Sequence, residues 1–469
     1  MAVDYDLVVV GNTATGIYAA LAAVKLKARV AIVEQNVRSD STTFRRALAE
    51  IGDVSQTLNR ANQLGLYDPE IISETLQLSK AKKWADTITS TLQQLDSPAV
   101  LASLGIEFIA SAGEFCREPR FGFSVDQRLL RSRAFLIATE QIPVIPKIEG
   151  LQATGYLTSE TIGQTIPSRL VIIGDDAIAI ETAQTFNYLG SQVTLITSTG
   201  FLEAVEMIDR EAAFLIQTQL EAEGIRVLTH TQVTQVRKID SKKWVQAGDK
   251  AIETDEIFLA ADSQLNLEAL NLEAVGISFP VRVNTKLQST CNRIYICGSP
   301  LHSIAQQEVN VALRNALFFP RFKIEKRQVP QTVFSNPQLA WVGVTESQAI
   351  QLYGKDVVVV RQFFKTLAKA QIQNKTTGFI KVITRRDGRV LGAHLVGANA
   401  SELIGSIALA VNQKLKIQTF KEVGFLSSTF SEILTRVAIE WESQKLKHNS
   451  GLQDFLEGFF RWRRANFKG

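Results

Sequence analysis

An α/β fold built on two copies of one supersecondary unit is predicted by three observations. First, Asp4 to Glu34 reads DYDLVVVGNTATGIYAALAAVKLKARVAIVE. A strand (Leu7 to Val10) meets Gly11, a turn of small residues leads into an Ala-rich helix from about Gly16, and a strand from Val30 to Val33 ends on Glu34. Second, RLVIIGDDAIAIETAQTFNYLGSQVTLIT repeats that pattern about 160 residues later. Third, from Val329 a final α/β segment holds hydrophobic strands and helices. In such a βαβ unit the free N–H groups and dipole of the helix N-terminus attract a dinucleotide pyrophosphate. An acid closing the second strand can accept hydrogen bonds from ribose hydroxyls. Gly11 and Gly16 hold the first and third glycine positions of that fingerprint, and Thr13 stands at the second.

Composition narrows the class. The 469 residues allow two to four domains, and 45% hydrophobic with 21% charged residues is an ordinary soluble α/β profile. A net charge of +4 gives no footprint for nucleic acid. Cys116, Cys291 and Cys297 are scattered, which suits a reducing compartment. The first strand begins almost at once and no apolar run reaches a membrane span, so a cytoplasmic protein is expected. The four histidines lie far apart, without metal spacing, and no metal is expected.

In chain order, a polar loop follows Glu34, then helical patterns run from Thr43 to about Gly65 and from about Glu70 to Leu95. Short strands begin after Gly105, and QIPVIPKIEGL is a proline-punctuated connector. The second unit opens at Leu170 and Gly174, and a helix Asp209–Glu223 and further strands to about Leu259 complete it. NRIYICGSP returns to a strand ending in Gly298, followed by a helix to Leu317. The last segment holds strands Asp356–Val360, Gly378–Ile383 and Arg389–Val396, and helices Ala400–Val411 and Ser431–Glu442.

In this order the motifs resemble the flavin-dependent pyridine nucleotide–disulfide oxidoreductases, such as dihydrolipoyl dehydrogenase, glutathione reductase and mercuric reductase. The likeness covers about 1–445. It rests on the opening unit, on LIATEQIPVIPKIEG at the family's ATGSxPxxPxIxG connector, on the second unit and on IYICGSP at its strand ending in Gly-Asp. QTVFSNPQLAWVGVTESQA and GFIKVITRRDGRVLGAHLVGANASELI complete it. The resemblance implies two Rossmann-like domains, for FAD (1–155 with 270–328) and for NAD(P) (156–269). A C-terminal α+β dimerisation domain (329–445) makes a homodimer, and 446–469 is a tail.

The departures fall on the chemistry. The family's CxxxxC redox pair belongs just after the ribose acid, but Gln35 to Arg46 holds no cysteine. No thiolate is then available there to attack a disulfide or relay electrons from flavin. The family's general acid–base histidine, in HPTxSE, becomes Ser427 in SSTFSE, with Glu432 kept. A serine hydroxyl cannot exchange protons near neutrality as imidazole does. Neither the dithiol nor the histidine of the family's catalytic machinery is therefore retained.

For FAD the resemblance assigns Gly11, Thr13, Gly16, Glu34, Gly298 and Ser299, the last replacing an aspartate that holds the ribityl chain. Arg46 and Glu181 match the family's Lys–Glu pair beside the reactive flavin nitrogen, and Glu140 replaces the glycine of the ATG turn. The NAD(P) site reads as degenerate. Gly174 remains, but Asp176 and Ala179 stand at the second and third glycine positions, and the strand ends in Thr197-Ser198 with no acid or arginine for the ribose. A carboxylate aimed at a pyrophosphate repels it, unless it turns to cap its own helix. FAD binding is expected and NAD(P) binding is not.

The tail GLQDFLEGFFRWRRANFKG places Leu452, Phe455, Leu456 and Phe459 on one helical face, with Arg461, Arg463, Arg464 and Lys468 at its end. An anionic membrane surface, a protein partner and docking on the tail's own dimer are the alternatives. Two functions follow from the whole: a flavoprotein passing electrons between an unidentified donor and acceptor without a disulfide, or a non-catalytic dimeric scaffold descended from the same family.

Overall fold

The computed structural model describes residues 3–35, 41–63, 78–118, 120–162, 165–203, 205–447 and 449–467. The chain divides into two compact units, Met1–Thr199 with Glu223–Lys326, and Gly200–Ala222 with Arg327–Gly469.

The first unit is organised by Tyr5–Val10, whose YDLVVV run is buried at five of six positions. Such a run suits the middle of a parallel sheet covered on both faces. Its sheet runs Ile294–Ile296, Ser132–Ile137, Tyr5–Val10, Val30–Val33, Ile106–Ile109, all parallel. The helix Ala14–Lys25 lies close to it because its inward positions are small: Ala19, Ala20 and Ala23 are buried.

Register sets the geometry of the edge. Val10 pairs with Val33 and with Ile137, and Ile137 pairs with Ile296. The four strands therefore end level, and the residues just beyond them (Gly11, Glu34, Ala138-Thr139 and Cys297-Gly298) share the carboxyl edge, where ligands of open parallel sheets bind. The second unit of the repeat builds a parallel sheet in the order Arg226–Leu228, Gln192–Ile196, Arg169–Ile173, Glu256–Leu259. Ile173 pairs with Ile196 and Leu259, so Gly174, Thr197 and Ala260 share the corresponding edge.

The other unit is a five-stranded antiparallel sheet, Gln331–Val333, Gln338–Gly343, Val390–Gly397, Phe379–Arg385, Val357–Phe363. The helices Ala400–Asn412 and Glu432–Lys447 contribute Ile404, Ile407, Leu434 and Val437 to its core.

Three expectations shift. The opening helix starts at Ala14 rather than about Gly16, because Thr13 caps it. Of the two helical patterns after Glu34, Ser41–Gln63 and Leu78–Leu95 are seen, and 64–77 lies outside the described residues. The helix Arg210–Ala222, expected inside the second nucleotide-type domain, groups with the C-terminal unit. Ion pairs join it there beside its buried Ala212, Ala213, Ile216 and Leu220: Lys381, only 3% exposed, is held by Asp209 at 2.8 Å, Glu211 at 2.6 Å and Glu346 at 3.1 Å. A buried ammonium needs such partners.

Candidate functional site

At the carboxyl edge of the first sheet the backbone is tightly specified. Gly11 has φ +111°, and a Cβ there would come within 2.3 Å of the Ala138 carbonyl oxygen. A Cβ on Gly16 would meet the Gly11 carbonyl oxygen at 2.1 Å. Only glycine fits either position. Thr13, expected to add bulk toward a pyrophosphate, spends its hydroxyl on the protein: Oγ1 accepts from the Gly16 N–H at 3.2 Å and donates to the Ala138 carbonyl at 2.7 Å. Glu34 follows its strand as predicted, and its Oε1 accepts from Asn12 Nδ2 at 2.8 Å.

Across the edge, Gly298 packs against Leu265, whose side chain a Cβ there would meet at 2.2 Å and would have to displace. Its carbonyl accepts from Gln141 Nε2 at 2.6 Å, and Ser299 Oγ accepts from the Leu301 N–H at 3.3 Å. Sequence reading missed the partner of this turn. Glu308, 4% exposed, accepts from the N–H groups of both Gly298 and Ser299 through Oε2, at 3.0 Å each. Lys326 lies 3.3 Å from its other oxygen. The signal was an acid in the otherwise apolar and amide-bearing run IAQQEVNVAL of the helix His302–Leu317.

Two atoms on this edge are buried without a hydrogen-bond partner, Thr139 Oγ1 and Gln141 Oε1. Such orphans are costly in a finished core, and polar groups of a bound ligand at this edge would satisfy them. With the Gly11 cradle and Glu34, they fit a flavin dinucleotide: glycine for close approach of the pyrophosphate, the acid for a ribose.

Arg46 and Glu181 lie together, with an addition. Arg45 Nη1 stands 3.5 Å from Glu181 Oε2, their side chains 11% and 10% exposed, and Arg45 Nε is also buried without a hydrogen-bond partner. Burial pulls the Arg46 guanidinium below its ordinary pKa, opposed by Glu181 and reinforced by Arg45. Two guanidinium groups therefore face one carboxylate where the sequence suggested a simple pair. Leu48, Ala49, Ile162, Thr185 and Phe186 surround a small cavity beside it.

At the second unit's edge, Gly174 has φ +149°, and a Cβ would come within 2.4 Å of the Ala260 carbonyl oxygen. Asp176 takes the capping course: its Oδ1 accepts from the Ala179 N–H at 2.8 Å, and the helix Ala177–Tyr188 starts behind it. Burial raises its pKa to about 6, against the pull of the Ala179 N–H and of Arg45, with Glu181 and Asp262 adding to the rise. Thr197 Oγ1 donates to the Thr199 carbonyl, and Thr199 Oγ1 donates to Asp175.

The remaining predicted residues stand elsewhere. Ser427 is exposed, and Glu432 accepts from the Ser428 N–H at 3.2 Å while pairing with Arg436 at 2.6 Å. The cysteine-free segment starts at Gln35, whose amide exchanges two hydrogen bonds with the Gly113 backbone; 36–40 lies outside the described residues. Burial pushes the thiols of Cys116 and Cys297 up, away from thiolate. Among the described residues no group of ligands could hold a metal ion, and no helix is long and apolar enough to cross a membrane.

Two parallel sheets that each end on a glycine edge, within one unit, and an antiparallel sheet in a second unit are the architecture of a flavoprotein oxidoreductase. The chain belongs to the pyridine nucleotide–disulphide oxidoreductase family: that family's profile matches residues 5–315, and the profile of its dimerisation domain matches 329–438. The family is FAD-dependent and commonly also uses NAD(P). The chain is 29% identical to a mercuric reductase of Staphylococcus aureus over 95% of its own length and 84% of that protein's. It is 26% identical to a glutathione reductase of Nostoc sp., over 93% and 100%. Among solved structures it resembles the HOCl-induced flavoprotein disulfide reductase RclA of Escherichia coli, with a TM-score of 0.78, 23% identity, and 92% and 99% of the two chains covered.

Proposed function

We propose that this chain is a homodimeric FAD-binding oxidoreductase that passes electrons between a donor and an acceptor without a disulfide relay. The observation that carries it is the pairing of a retained flavin cradle with lost thiol chemistry. Thr139 and Gln141 keep orphaned polar atoms beside Gly11, while Gln35 to Arg46 holds no cysteine. FAD, when bound, supplies the redox chemistry. The chain's own residues then have simpler tasks: Gly11 and Gly16 let the backbone approach, Glu34 orients a ribose, and Arg45, Arg46 and Glu181 set the charge around the ring. The dimer is read from the dimerisation-domain match over 329–438. NAD(P) use is not expected, since Asp176 already takes the Ala179 amide that a pyrophosphate would otherwise meet.

A second reading, a non-catalytic dimeric scaffold, is favoured by Glu308, which fills two backbone donors of the Gly298-Ser299 turn from within the protein.

The visible spectrum of the purified protein separates them. Oxidised-flavin bands bleached by a chemical reductant, with no lipoamide, glutathione or mercuric-ion reductase turnover, support the first reading. A colourless protein that takes up no added FAD supports the scaffold. Thiol-dependent turnover above that of free flavin overturns both.

A further inference from the structure

The C-terminal helix Ser450–Ala465 lies beyond both family profiles, the later of which ends at residue 438. It is separately started: Asn449 caps it by accepting from the Leu452 N–H at 3.0 Å, and Gln453 Nε2 donates back to the Leu446 carbonyl at 2.9 Å. None of its residues is buried. Yet Leu452, Phe455, Phe459 and Trp462 follow at intervals of three, four and three, which puts them on one face. Phe455 is 64% and Trp462 63% exposed. Phe459 joins them into one ring cluster, with centroids 6.3 Å from both Phe455 and Trp462. An exposed apolar stripe of this kind marks an interaction surface.

Charge selects the occupant. The acids of the helix, Asp454 and Glu457, fall in its first half, whereas Arg461, Arg463 and Arg464 close it around Trp462. Arg461 and Arg464 lie on the polar side; Arg463 ends the apolar face, where its long stem can lie along apolar surface while the guanidinium reaches outward. Aromatic rings beside clustered arginines match the boundary between acyl chains and anionic headgroups. A protein groove would need acids of its own to receive three guanidinium groups, whereas within the helix Arg461 lies 3.5 Å from Glu457 with both side chains exposed, a weak and solvated pair that leaves the guanidinium open to anionic headgroups.

We propose that this helix lies flat on an anionic lipid surface and tethers the protein there as a peripheral membrane protein. The inference is independent of flavin binding and goes beyond the electron-transfer reading.

The test is co-sedimentation of the full-length protein with phosphatidylglycerol or phosphatidylcholine vesicles, with light scattering of each variant. Binding at least tenfold tighter to phosphatidylglycerol, and weakened by salt, is expected. Replacing the three arginines (R461Q, R463Q, R464Q) should weaken it roughly 100-fold, at about fivefold for each basic residue near a membrane. The set F455S, F459S and W462S should abolish it with the native mass unchanged. The proposal is overturned if wild type stays in the supernatant with phosphatidylglycerol. It is equally overturned if a chain ending at Lys447 still sediments, or if either substitution set halves the mass, which would place a second copy on this face.

Discussion

The two βαβ units solve one local problem with different side chains. Each follows its first strand with a positive-φ glycine and starts its helix behind a capping residue: Thr13 accepts from Gly16 N–H, Asp176 from Ala179 N–H. The caps are equivalent for the helix and opposite for an anionic ligand. A hydroxyl satisfies an amide and leaves the positive helix end uncompensated. A carboxylate satisfies the amide and cancels that positive end. On the proposed reading the first unit keeps an edge open to an anion under a capped helix, and the second closes the same edge to one. A departure from a glycine fingerprint thus has to be judged by charge as well as bulk.

The largest effect that would break the comparison is at the glycines. Gly11→Ala and Gly174→Ala each force a side chain against a carbonyl oxygen, at 2.3 and 2.4 Å, in a backbone region L-residues avoid. Each should cost about 3–5 kcal/mol by chemical denaturation. They should differ in flavin content, which falls with Gly11→Ala and persists with Gly174→Ala wherever the fold survives. Equal loss of flavin in both would erase the distinction between the units.

Next in size is Glu181. Its removal leaves Arg45 buried beside Arg46, and Glu181→Ala should destabilise by about 2–4 kcal/mol at neutral pH. Replacing Arg45 and Glu181 together by Met should recover part of that loss, because it leaves one stranded guanidinium, that of Arg46, in place of two. A double variant worse than the single would mean that the cluster contributes through packing alone.

The fold was largely legible because its signals are local. Val- and Ile-rich runs ending on Gly, Ala-rich helices and an acid at a strand end all fall within one βαβ span. The site was legible where chain order alone placed residues, as with Gly11, Glu34 and Gly298 at the ends of aligned strands. It was not legible where the partner depends on the phase of a helix. Arg45 and Arg46 are adjacent, and nothing in their spacing says that Arg45 comes within 3.5 Å of Glu181. Glu308 reaches back ten residues to cap the Gly298 turn, across a segment whose conformation no pattern fixes. The start of the helix Arg210–Ala222 meets Lys381, which bonds Asp209 from 172 residues away. Composition shows that such charges exist and not where they meet.

The smallest expected effect sharpens the comparison most, because it isolates charge from shape. Asp176→Asn keeps a good N-cap and changes only ionisation. Asp176 has a folded pKa of about 6 against an ordinary 3.8, so the native protein binds the extra proton between those values. The carboxyl's contribution to stability is therefore greatest below about pH 4, declines as pH rises to about 6, and is level above that. Asparagine removes the decline. The variant should match wild type near pH 4 and exceed it by about 1–2 kcal/mol at pH 8, the range trimmed for partial exposure to solvent. Denaturation midpoints across pH 4–8 measure it, and a pH-independent difference would mean that Asp176 is not the titrating group. The same substitution should raise affinity for NADH or NADPH by roughly tenfold, since a neutral amide no longer repels a pyrophosphate at an effective dielectric near 20. The converse, Thr13→Asp, should cap its helix equally well and lower flavin content. If the two substitutions left both cofactor affinities where they were, capping alone would account for both residues, and the units would be electrostatically alike.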